Sequence, residues 1–318
     1  MNYEKIPTNK EEAKFETKER TGTEYVFKKF HEVDFEIEKF PELFERLVEL
    51  SNLPESHFED AVKMEQIVEI LWEDIEKEKI NFNLSEIKLT CLFHDIGKSG
   101  PVEANKRQRK IIINQMFNTE YFNPQDPKFK NKKIRELTLD EAIEIENFSN
   151  KDEIKRYLET LTLHIFYKEK KAIIEEKLDL NKHRLIDLWR EHDYWTYQLL
   201  KKYGDKDIPQ DLIIVASSHH TLEGYDPAMI NGDLPAEAIN LELLDKYLIV
   251  TLIDKYQAWV DRSGKNHEEA IQIIRDNIEQ SYQDRIINHE KKMYNQFMKY
   301  LQILEKHPEV YNITKSKE

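Results

Sequence analysis

Apolar residues recur at helical spacing through most of the chain, and alternation over a strand's length is hard to find. The pattern predicts an all-α protein. Residues 1–34 read as polar and irregular with Thr21-Gly22-Thr23 as a turn, and residues 35–50 carry an apolar stripe interrupted only by Pro41. From Ser56 onward Ala61, Met64, Val68 and Leu71 share one helical face, with His57 at the start of that helix. Ser85 is placed to cap a second helix through Leu89, Leu92 and Phe93, ending at His94.

Beyond Pro101 the chain turns basic as far as Lys133, with Lys106, Arg107, Arg109, Lys110, Lys128, Lys130 and Lys132 and prolines at 124 and 127. An insertion or lid is one meaning, a solvated charged face the other. Thr138-Leu139-Asp140-Glu141 has the form of a capping box, and helical patterning then continues to Tyr203, with Gly204 as a stop. Leu212 to Ala216 is too short for periodicity to separate helix from buried strand, and its context favours helix. Residues 220–239 hold Gly224, Pro227, Gly232 and Pro235 and predict a long loop. Leu241 to Val260 is apolar almost all round, as a central helix is, and residues 266–306 form one or two amphipathic helices.

Composition narrows the function. With 48 basic and 62 acidic residues among 318, the formal net charge is −14, which disfavours an unaided basic groove for long nucleic acid. Seven glycines are too few for a turn-dense barrel or a glycine-rich phosphate loop. Cys91 is the lone cysteine, so no disulfide framework exists within the chain and a reducing compartment suits it. Residues 1–20 lack the apolar core of a signal peptide and no window resembles a membrane span, so the sequence predicts a soluble, cytoplasmic protein.

Three places put ionisable residues where apolar ones belong. His94-Asp95 ends an otherwise apolar helix, His219-His220 follows an apolar run, and Asp254 interrupts the run from Leu248 to Ile253. A carboxylate in such surroundings needs a partner or a cation. Backbone donors at a helix end would satisfy His94 and Asp95 in the simplest case. Imidazole and carboxylate without thiolate also suit iron, manganese or similar divalent ions, and paired ions are a known route to phosphoester cleavage. His31, His183, His267, His289 and His307 lack a ligand context, and His164 is kept in reserve because it sits in an apolar helix. Arg262 lies two helical turns beyond Asp254 and could fork onto a phosphate or make a plain ion pair, while Tyr225 could stack on a base or anchor its loop.

These residues resemble the HD-domain metal-dependent phosphohydrolases, and most closely the HD-GYP branch. His94-Asp95-Ile96-Gly97-Lys98 matches the family's HDxGK element without substitution, and the helix from Glu191-His192-Asp193 is similar to the next family element. Ser218-His219-His220 with Gly224-Tyr225-Asp226-Pro227 resembles the HHE…GYP segment, and Asp254 to Arg262 its final aspartate helix. Together these elements span residues 51–280 in family order. Thr221 replaces the glutamate after the paired histidines, Asp226 separates Tyr225 from Pro227, Gln257 stands where a second aspartate is common, and Leu53 stands where members with three metals have glutamate. The stretch between His94 and His192 is longer than usual for the family.

The resemblance implies a helical bundle around two divalent transition metals, iron or manganese before zinc, nickel or cobalt. His57, His94, Asp95 and Asp254 would hold one ion and Asp95, His192, His219 and His220 the other, with Asp95 bridging. A metal-bridged hydroxide would be the nucleophile, Lys98 would orient the phosphate, and Tyr225 and Arg262 would bind substrate. The implied organisation is a cap over 1–50, a catalytic domain over 51–265 with an insertion at about 100–185, and helices over 266–318 that pack on it. The expected activity is a phosphodiesterase on a small cyclic dinucleotide, cyclic di-GMP first, with neither membrane nor long nucleic acid as partner and self-association left open. A phosphohydrolase of other nucleotides, a diiron oxygenase of the HD type and a degenerate nucleotide sensor are the alternatives.

Overall fold

The computed structural model describes residues 22–52, 57–78, 80–106, 109, 113, 192–204, 206–220, 243–283 and 288–314, with the backbone alone at 57, 280–283 and 288–293. Among them the secondary structure is helical throughout. Helix α1 covers 22–31. It is followed by α2 (Pro41–Ser51), α3 (His57–Glu76), α4 (Leu84–Phe93), α5 (His192–Gly204) and α6 (Gln210–Ala216). The chain then forms α7 (Leu244–Gln257), α8 (His267–Gln283), α9 (Asn288–Glu305) and the short α10 (Tyr311–Thr314). None of these helices is long and apolar enough to cross a membrane.

Two boundaries differ from the sequence pattern. Where a turn is expected, Gly22 and Thr23 lie in α1, which buries Val26 and Phe30 completely. Packing overrides local preference there: a Cβ on Gly22 would press against the Asn52 and Ser51 side chains at the end of α2. Helix α4 begins one residue before Ser85, and its cap is Asn83, whose side-chain oxygen accepts from the Glu86 amide at 3.0 Å. Other signals match the structure. Pro41 takes the first position of α2, where its missing N–H costs nothing, and Gly204 ends α5. The basic insertion and the capping box at Thr138 lie outside the described residues apart from 101–106, 109 and 113.

Helix α4 is the spine of the fold, with every residue from Ile87 to Phe93 buried. One side of it, Leu92 and Phe93, joins a core with Val26 and Phe30 of α1, Leu43 and Leu47 of α2, and Trp195 and Leu199 of α5. The other, Ile87 and Cys91, joins Val68 and Leu71 of α3, Leu248 and Leu252 of α7, Ile274 of α8 and Leu301 of α9. Each such side chain withdrawn from water stabilises the fold by about 1.5–3 kcal/mol, offset by the entropy of ordering it. An apolar helix of this kind leaves its polar end, His94 and Asp95, in the middle of the protein.

The chain just past α4 is held by an arginine. Arg46 of α2 is fully buried and donates to Ser99 Oγ at 3.2 Å, to the Gly100 carbonyl at 2.9 Å and to the Pro101 carbonyl at 3.1 Å. The planar guanidinium supplies several fixed donors where an irregular segment would otherwise bury unpaired carbonyls. Arg109 is also buried rather than solvated: it forks onto Glu49 at 2.7 and 2.8 Å and reaches Glu45 at 3.0 Å, so the start of the basic stretch docks on α2.

Candidate metal centre

His94 is the C-cap of α4, and Asp95 leads directly into a 3-10 turn, Ile96–Ser99, that carries Gly97 and Lys98. The start of α5 packs on this turn. The Gly97 amide donates to Thr196 Oγ1 at 3.0 Å, and Thr196 Oγ1 donates to the His94 carbonyl at 3.1 Å. A Cβ on Gly97 would overlap the His192 carbonyl, so only glycine lets the two backbones come this close. His192 and Asp193 open α5, His219 and His220 follow the end of α6, and Asp254 faces inward from α7.

Six of the seven expected metal ligands converge, with the expected Lys98 beside them. Asp95 Oδ2 lies 3.3 Å from His94 Nε2 and pairs with Lys98 Nζ, while Asp95 Oδ1 lies 3.2 Å from His192 Nε2 and 3.6 Å from His219 Nε2. Asp254 Oδ1 is 3.9 Å from His94 Nε2. His192 Nε2 stands 3.3 Å from His219 Nε2 and 3.4 Å from His220 Nε2. The Nδ1 atoms of His94 and His219 point away from the centre and donate to the Cys91 and Ala216 carbonyls at 2.7 and 2.9 Å. A carbonyl only accepts, so each of these rings presents its Nε2 inward, the orientation second-shell contacts give to metal-ligating histidines. His94 Nε2 is buried without a hydrogen bond.

The buried charges are interdependent. Burial works against charge on Asp95, but His94, Lys98, His192 and His219 outweigh it and hold the carboxyl well below its ordinary range. For Asp254 the opposing neighbours are Lys255, His219 and His94, and they lower it to about 2. Burial disfavours the imidazolium of His192, yet Asp193 and Asp95 push it up to about 9, and Asp193 and Asp95 likewise raise His219 against its own burial. Protons on these rings therefore take the place a cation would fill between the carboxylates. His220 runs the other way: burial, His219 and Lys255 hold it well below the ordinary imidazole range.

No family model matches this chain. Comparison with curated proteins and with solved structures likewise found no match. The resemblance to HD domains thus rests on the motifs and on their convergence in an all-helical fold. The buried group His94-Asp95-His219 and the group His192-Asp193-His219-His220, buried but for the half-buried His220, could each hold a metal ion, the ligand atoms of each set lying within 4.8 Å of one another. The donor chemistry fits one: inward Nε2 atoms and carboxylate oxygens are gathered, and His94 Nε2 and both Asp193 oxygens are buried without a hydrogen bond among the described residues.

His57 opens α3, and only its backbone is described. Tyr225 and Thr221 lie outside the described residues, as do His164 and His183. Lys98 is buried beside Asp95, and its burial lowers its pKa against the pull of Asp95. Arg262 ends a π-helical turn, Ala258–Arg262, that continues α7, and its guanidinium lies 3.3 Å from Asp60 Oδ2. Of the histidines set aside, His31, His267 and His307 make ordinary contacts with Glu38, Tyr256 and Asp74. Of His289 only the backbone is described.

Two residues were not foreseen. Asp193, fully buried, places Oδ1 3.0 Å from His192 Nε2, 3.5 Å from His219 Nε2 and 3.8 Å from His220 Nε2. Asp60, also buried, accepts from Gln257 Nε2 at 2.7 Å as well as from Arg262, and burial raises its carboxyl despite the Arg262 charge. The signal for Asp60 was its position three residues after His57, on the same helical face.

Proposed function

We propose that this chain is a metal-dependent phosphohydrolase that cleaves a phosphodiester, with a cyclic dinucleotide as substrate class and cyclic di-GMP as the first compound to test. The observation that carries the proposal is the division of Asp95: one oxygen faces His94 and Lys98, the other faces His192 and His219. A carboxylate divided in this way could hold two divalent ions, for which the ligand chemistry suits iron or manganese. Two such ions polarise phosphoryl oxygens and activate water for in-line displacement.

The chain's own residues supply the rest. Lys98, already paired with Asp95 and buried, holds a fixed positive charge beside the centre, ready for a phosphate oxygen with no reorganisation. Arg262 stands at the rim with 43% of its side chain exposed, and Asp60, Asp254 and Asp95 more than offset its partial desolvation and keep it cationic. Gln257 and Arg262 each take a separate oxygen of Asp60, which fixes both side chains relative to α3. These local cations make an anionic substrate compatible with a net charge of −14.

Purified protein reconstituted with Mn²⁺ or Fe²⁺ and incubated with cyclic and linear nucleotides tests the proposal. Opening of cyclic di-GMP to its linear dinucleotide supports it in full. Hydrolysis of other phosphoesters alone keeps the reaction and changes the substrate, consistent with the altered Thr221–Asp226 segment. Metal-loaded, reduced protein inert toward every phosphoester would end the proposal and move the assignment to an oxygenase or a sensor.

A further inference from the structure

The resemblance gives the second ion four ligands: Asp95, His192, His219 and His220. We infer that in this chain Asp193 takes the fourth position and His220 does not ligate, so the second ion sits in a set of two carboxylates and two imidazoles. The inference rests on the metal-centre half of the proposed function and not on the reaction.

Asp193 is the better placed of the two. Its carboxylate is fully buried, and among the described residues neither oxygen has a hydrogen bond of acceptable geometry, although Oδ1 is only 3.0 Å from His192 Nε2. Carboxylates that merely orient a ligating histidine bond to the ring nitrogen facing away from the metal. In His219 that outer nitrogen, Nδ1, is already taken by the Ala216 carbonyl, and Asp193 lies instead on the Nε2 side, among the nitrogens that face one another. A buried carboxylate in that position, lacking aligned donors, is an oxygen ligand awaiting a cation.

His220 lies within reach of the same ion, but its ring is committed to Lys255. Its Nδ1 is 3.1 Å from Lys255 Nζ, and an ammonium can only donate, so the neutral ring carries its proton on Nε2, the atom that would have to bind the ion. It is the more exposed of the paired histidines, 23% for its side chain against 1% for His219. Its Nε2 stands at the rim of the cluster, 3.4 Å from His192 Nε2.

The exchange of an imidazole for a carboxylate has chemical consequences. It adds a hard oxygen donor and a negative charge, which favours Mn²⁺ and Fe²⁺ over softer, nitrogen-preferring ions. With Asp95 and Asp254 it brings the carboxylates around the two ions to three, leaving less net positive charge at the centre than the pattern with His220 would.

The test is metal stoichiometry. Chelator-stripped wild type, Asp193→Ala, Asp193→Asn and His220→Ala are dialysed against Mn²⁺ and analysed for bound manganese per chain. Wild type should hold two ions, both Asp193 variants one, and His220→Ala two. The ion retained by the Asp193 variants serves as the control for folding, and affinity for the lost ion should fall by about 10²-fold or more. Two ions retained by both Asp193 variants, one ion in His220→Ala, or fewer than two in wild type would each overturn the assignment. A two-ion protein inert toward phosphoesters would refute the proposed reaction and leave this ligand set standing.

Discussion

Gly97 and His192 touch through their backbones: a Cβ on Gly97 would overlap the His192 carbonyl oxygen and stand 2.6 Å from the Thr196 amide nitrogen. The contact locks the turn that carries Asp95 and Lys98 to the helix that carries His192 and Asp193. Gly97→Ala should therefore force α5 away, cost about 1–3 kcal/mol of stability as overpacking does, and weaken metal binding. Denaturant unfolding and a manganese titration check it; unchanged values in both would show that the turn and α5 are not rigidly coupled.

Arg46 makes a second prediction about the same turn. Because its guanidinium gathers the Ser99 hydroxyl and the Gly100 and Pro101 carbonyls, Arg46→Ala leaves buried acceptors unpaired and should cost about 3–5 kcal/mol. Arg46→Lys should recover little, since a single ammonium cannot span the same fan of acceptors. Full recovery by lysine would reduce the role of Arg46 to its charge.

The all-helical architecture was legible because the apolar spacing in α3, α4 and α7 follows the helical period without competing alternation. His94, Asp95, His219, His220 and Asp254 were legible from residue type and the apolar runs beside them, and His192 only through the resemblance in motif order. Asp193 was not, because neighbours on a helix project roughly 100° apart and a residue beside His192 reads as facing elsewhere. At the very start of α5 both side chains nonetheless reach the same space. The helix at 22–31 was hidden by its shortness and by Gly22, whose lack of a side chain serves packing against α2 rather than a turn.

Acid–base behaviour follows from His192. Its folded-state value is raised from 6.5 to about 9 in the metal-free protein, so the proton it holds stabilises the fold. That contribution is complete below pH about 6.5 and is lost as the pH climbs through about 9. Chelator-treated protein should show Tm falling over this window. Binding of Mn²⁺ at neutral pH should expel a proton, visible as calorimetric heats that change with the ionisation enthalpy of the buffer. A Tm rising over the same window, or buffer-independent heats, would contradict the arrangement.

Lys98 separates chemistry from metal retention. Lys98→Ala should keep the bound ions near the wild-type content and lower phosphodiesterase turnover by about 10²-fold, the usual loss for one preorganised charge contact. Turnover equal to wild type would remove Lys98 from the mechanism.

The proposed joining of two ions by the two oxygens of Asp95 rests on how that one carboxylate divides between His94 and His192. Elemental analysis of metal per chain, on wild type, Asp95→Ala and Asp254→Ala prepared without oxygen and reconstituted with manganese, addresses it most directly. Two equivalents are expected in wild type, none in Asp95→Ala, and one in Asp254→Ala, whose carboxylate lies 3.9 Å from His94 Nε2. Trace metal in wild type, or two equivalents retained by Asp95→Ala, would contradict it.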